Sequence, residues 1–126
     1  MKYVRQLVWI PQVALAVATG AGGVFKLTGD PAMVDMFDTI GVGQWFRYLV
    51  GVLELAGAVG LLIPRLAAFA AAGLAVLFAG AAITNVAVLD TAPILPLAYL
   101  VVAAAIAWVR RPRSGAISAL GEGRTG

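Results

Sequence analysis

Residues 51–64 read GVLELAGAVGLLIP, a nearly unbroken apolar run that carries one carboxylate, Glu54, near its middle and closes on Pro64. A helix that packs on a soluble core keeps one polar face, and this run has none. It reads as a helix made for hydrocarbon that also contains the kind of side chain hydrocarbon tolerates least.

The same pattern repeats on both sides. Long apolar runs cover residues 7–25, 45–63, 66–88 and 93–109. Each approaches the ~20 residues needed to cross a bilayer, and none alternates as a barrel strand would. Prolines punctuate the ends: Pro64 closes the second run, Pro93 and Pro96 open the fourth, and Pro112 follows it. Hydrophobic residues make up 62% of the chain and charged ones 12%, a balance that belongs to membrane proteins. The predicted fold is all-α: a transmembrane four-helix bundle forming a single membrane domain over residues 1–113. A flexible cytoplasmic tail rich in Gly and Ser is expected over 114–126. Lys2, Arg5 and the Ala16-Val17-Ala18 triplet imitate a secretory signal, but the segment is expected to serve as the first span.

Charge and composition narrow the chemistry. The sequence has no cysteine and no histidine, which removes thiol redox chemistry, thiolate metal sites and histidine-ligated haem or zinc. No catalytic residue, metal ligand or covalently bound cofactor is expected. The net charge is +3, with the positive residues gathered towards the chain ends rather than in a stripe suited to phosphates, so nucleic acid is not an expected partner. Lys2, Arg5, Arg65, Arg110, Arg111 and Arg113 fall on one side of the spans, and Asp30, Asp35, Asp38 and Asp90 on the other. By the positive-inside tendency the protein is expected in the bacterial cytoplasmic (inner) membrane with both termini cytoplasmic.

The loop between the first two runs has its own structure. Asp30 before Pro31 is an N-cap followed by a favoured first helical residue, and Gly41 is a terminator. Between them Met33, Met36, Phe37 and Ile40 share one helical face, opposite Asp35 and Asp38. A short interfacial helix follows, either floating at the headgroups or lying as a lid over the outer mouth of the bundle.

Glu54 lies about nine residues, or ~13 Å, from the outer end of its helix. Insertion there costs about 2.5–3.5 kcal/mol, so the side chain is expected to face the bundle interior. Two cations are candidate partners: Arg47, on the same face about 10 Å away along the axis, and Lys26 at the outer end of the first run. Thr19 falls near the depth of Glu54, and Tyr48, Asn85 and Tyr99 fall in the outer half. Together these residues outline a polar binding pocket opening outward, or else a fixed ion pair that locks helix register with tyrosines at the interface. Gln12 and Thr19 are expected mainly as interhelical hydrogen-bonders, and small residues four apart (Ala18 and Gly22, Ala56 and Gly60, Gly80 and Thr84) as packing positions.

GVFKLTG at 23–29, the stretch at 40–74 that runs through GVLELAGA and the Pro64-Arg65 turn, and GAAITNV at 80–86 resemble the DoxX-like family of small four-helix membrane proteins. The residues that carry the resemblance are Lys26, Gly51 and Glu54, with the Pro64-Arg65 turn. It implies kinship with a small subunit of a thiosulfate:quinone oxidoreductase and with a membrane platform for detoxifying and sulfur-transfer enzymes. Many members carry a histidine late in the third helix, where this chain has Asn85. That departure points away from a proton relay or a direct redox role.

Three functions are compatible with these features. The leading one is a non-catalytic accessory or anchoring subunit of a larger membrane-associated redox or envelope enzyme. A small-solute or proton-coupled transporter with a site around Glu54 is the second, and it would require self-association, since four helices enclose only a narrow path. The third is a quinone- or lipid-binding subunit in which Glu54, Tyr48 or Asn85 anchors the head of the ligand.

Overall fold

The computed structural model describes residues 6–111. The tail expected over 114–126, together with Lys2, Arg5, Pro112 and Arg113, lies outside them. The described residues form five helices and no strand: α1 Trp9–Thr28, α2 Pro31–Ile40, α3 Trp45–Leu61, α4 Ala67–Ala87 and α5 Ile94–Arg110.

Helix ends follow local chemistry more closely than hydropathy. The first run was expected to end at residue 25, yet α1 continues to Thr28, because its stop signal is Gly29 in the left-handed region (φ 78°), whose N–H returns to the Phe25 carbonyl. Lys26 therefore sits inside the last turn, not at its edge. The second run was expected to reach 63, but α3 stops at Leu61. Ile63 precedes Pro64 and is disfavoured from helical geometry, so the chain leaves the helix just before it. In α2 the Asp30 carboxylate accepts from the Ala32 N–H, Pro31 opens the helix and Gly41 caps it, as its sequence predicts. Phe37 is buried and Asp35 and Asp38 are exposed, so the predicted two faces are present.

The four long helices pack as two tight pairs, α1 with α3 and α4 with α5. Lesser contacts of α3 with α4 and of α1 with α5 close the ring, and α2 packs on α1 and α3. The core runs through Leu15, Ala16, Ala58, Leu61, Ala71, Leu74, Phe78, Ala103 and Ile106. The outward surface is equally apolar: Ile10, Val17, Phe69, Val76, Ile83, Ile94 and Val101 are all largely exposed. So much uncovered aliphatic surface is untenable in water and is what a hydrocarbon solvent selects. α1 and α4, of 20 and 21 residues, are long and apolar enough to cross a membrane, and α5 is a shorter apolar helix of 17 residues.

Close backbone approach sets the α1–α3 crossing. A Cβ built on Gly23 would lie 2.9 Å from the Gly51 carbonyl oxygen, and one on Gly51 would lie 3.2 Å from that of Gly23. Gly22 and Gly60 from the expected small pairs also face neighbours, Glu54 and Ala70, whereas Gly80 faces open space.

At one end of the bundle, Gln12 of α1 donates to the Leu61 carbonyl that ends α3, and Arg110 of α5 donates to Gln12 Oε1 at 2.9 Å. This end carries Arg65, Arg110 and Arg111, and among the described residues no carboxylate. The opposite end, where α2 lies, carries Asp30, Asp35, Asp38 and Asp90.

Candidate functional site

The antiparallel pairing of α1 and α3 places Lys26 Nζ 2.7 Å from Glu54 Oε1. The side chains are 15% and 8% exposed, which puts the pair out of bulk solvent. The contact is a close ion pair between two largely buried side chains. Gly22 makes room for it: a Cβ there would stand 2.9 Å from Glu54 Oε2 and 3.8 Å from Lys26 Nζ. The acid thus lies against bare α1 backbone, which shortens the reach of the lysine.

Arg47, the other candidate cation, does something different. Its Nη1 donates to the Lys26 carbonyl, its Nε donates to Gln44 Oε1 at 2.8 Å, and its guanidinium stacks 4.3 Å over the Tyr48 ring. It is buried and caps the C-terminal end of α1, where exposed carbonyls favour a cation. Gln44, unremarked in the sequence, also donates to the Val34 carbonyl at 3.0 Å and so joins α2 to this cap. Its spacing of three from Arg47, just before α3 begins, is the signal that could have found it. Phe37 and Phe46 meet edge-on at 5.8 Å and add an apolar contact to the same junction.

The remaining candidates do not join Glu54. Tyr48 is an exposed residue whose ring lies under Arg47. Asn85 donates to the Ala92 carbonyl at 3.1 Å and holds the α4–α5 turn, where Asp90 takes a positive φ of 52°. Tyr99 packs on Phe78 with ring centroids 5.3 Å apart, inside the α4–α5 pair. Thr19 is buried, but among the described residues its hydroxyl has no hydrogen-bond partner, unlike Gln12, which bridges helices as expected. The seven candidates are therefore distributed: the Lys26–Glu54 pair, the buried Thr19, the Arg47–Tyr48 cap, and Asn85 and Tyr99 on the α4–α5 side.

Because Arg47 satisfies a helix end and its neighbour Gln44 at once, Arg47→Met is expected to lower bundle stability by about 1–3 kcal/mol. Denaturant titration in detergent micelles reads this directly; an unchanged midpoint would show the cap to be dispensable.

An apolar exterior, two helices of membrane length and an ion pair enclosed between α1 and α3 define a small all-α membrane protein. The model of the DoxX-like family matches residues 10–108, and the chain belongs to that family. No curated protein and no solved structure matches the chain.

Proposed function

We propose that this chain is a non-catalytic accessory or anchoring subunit. It would cross the bacterial cytoplasmic membrane four times with both termini inside, and hold a larger membrane-associated redox or envelope enzyme. The observation that supports this reading is the use of its polar side chains. Lys26 and Glu54 form an ion pair between α1 and α3, Arg47 and Gln44 cap α1, and Gln12 ties α1 to α3 and α5. Each joins one helix to another, which is what a rigid platform requires. The arginines at the Arg65 end and the aspartates at the α2 end fit an orientation with the arginines inside. α3, at 17 residues, spans about 26 Å and needs its flanking turns or local bilayer thinning to reach across.

A second reading rests on one specific observation, the buried Thr19 hydroxyl that has no hydrogen-bond partner among the described residues. It would make the bundle interior the site of a small polar solute, a proton or the head of a quinone, in a transporter or ligand-binding subunit. Glu54→Gln separates the two. The accessory role is expected to show weakened assembly with the partner enzyme and no change in solute uptake by reconstituted vesicles. Intact assembly with lost uptake would overturn it in favour of transport.

A further inference from the structure

On the outer face of the bundle, away from Lys26 and Glu54, α3 and α4 leave an open groove of about 480 Å³. Leu53, Gly57, Gly60, Phe69, Gly73 and Leu77 are among its lining residues, every one of which is apolar. Its lower end is Leu66, next to the exposed Arg65 of the α3–α4 turn. From Leu66 to Leu77 the groove follows ~16 Å of helix into the hydrocarbon layer. An open, wholly apolar groove along that length accepts a hydrocarbon chain.

The charge at its mouth specifies the rest. Arg65 makes no hydrogen bond or ion pair among the described residues. We propose that the α3–α4 groove binds one acyl chain of an anionic phospholipid whose headgroup is held at Arg65. The proposal is independent of whether the chain anchors an enzyme or carries a solute.

Gly73 supplies the test. A Cβ there meets nothing within 4 Å and Gly73 itself lines the groove, so a side chain introduced there takes up groove space. Native mass spectrometry of the full chain in mild detergent doped with a phosphatidylglycerol or a phosphatidylcholine of identical chains counts bound lipid. The wild type is expected to keep one phosphatidylglycerol per chain with about a fivefold preference over phosphatidylcholine, the effect of one basic residue at a membrane surface. Gly73→Leu is expected to lose retention of both lipids at unchanged thermal stability. Arg65→Gln, on an exposed turn where folding is not at stake, is expected to abolish the preference while leaving occupancy. Unchanged retention in Gly73→Leu, unchanged preference in Arg65→Gln, or a wild-type dimer that Gly73→Leu converts to monomers would each overturn the proposal, the last because it would seat a second copy in the groove.

Discussion

Lys26→Met is expected to lower the unfolding free energy of the bundle by about 3–5 kcal/mol, the penalty for removing one partner of a buried ion pair and leaving the other charge uncompensated. Glu54 is enclosed by α1, with Gly22 against one carboxylate oxygen and Lys26 Nζ 2.7 Å from the other, so water has little access with which to replace the lost cation. The double variant Lys26→Met/Glu54→Leu removes both charges and refills the space with apolar atoms. It is expected to return to within about 1–2 kcal/mol of the wild type, since well-packed hydrophobic substitutes for buried pairs are often neutral. A double-mutant cycle measured by reversible unfolding in micelles provides the coupling energy. Additive single effects would show that the two residues do not depend on one another.

The second large effect is expected at Gly23. Even alanine there must push α1 and α3 apart, because the obstacle at 2.9 Å is the Gly51 backbone oxygen together with the Leu55 side chain. Gly23→Ala is expected to cost about 1–3 kcal/mol, and Gly23→Val more, despite the better helix propensity of alanine. Gly80→Ala is the matched control. Nothing lies within 4 Å of a Cβ at Gly80, so the same substitution is expected to be neutral or stabilising by up to about 1 kcal/mol. Separating the helices at Gly23 also lengthens the reach from Lys26 to Glu54, so the coupling energy of the pair should fall in the Gly23→Ala background. Equal stability of the Gly23 and Gly80 variants would contradict the close crossing.

Long apolar runs broken by proline and glycine were enough to read the helices, and the Asp30-Pro31 start and Gly41 stop were enough to find α2. Those signals are local, and local chemistry decides them. The end of α1 was misplaced by three residues because hydropathy fell at Lys26 while the backbone signal, Gly29, came later. The choice between Lys26 and Arg47 as partner of Glu54 was not legible. Both were within reach, and the outcome depends on the α1–α3 crossing, which is set by Gly23 and Gly51 in a chain that has 15 glycines. Against that background Gly80 looked as significant as Gly22 and is not. Depth alone places Tyr48, Asn85 and Tyr99 in the outer half, which fits a shared pocket or an interface position equally. The rotation of each helix directs Tyr48 to Arg47, Asn85 to the α4–α5 turn and Tyr99 to Phe78.

The most direct test of the anchoring role is native mass spectrometry of the protein extracted from its own membrane in mild detergent, with every bound subunit and small molecule identified in the same run. The expected result is a complex with a larger enzyme subunit, retained by the wild type and weakened by Glu54→Gln. A homo-oligomer carrying only a small solute or a quinone would contradict it and make the interior around Glu54 and Thr19 the working site.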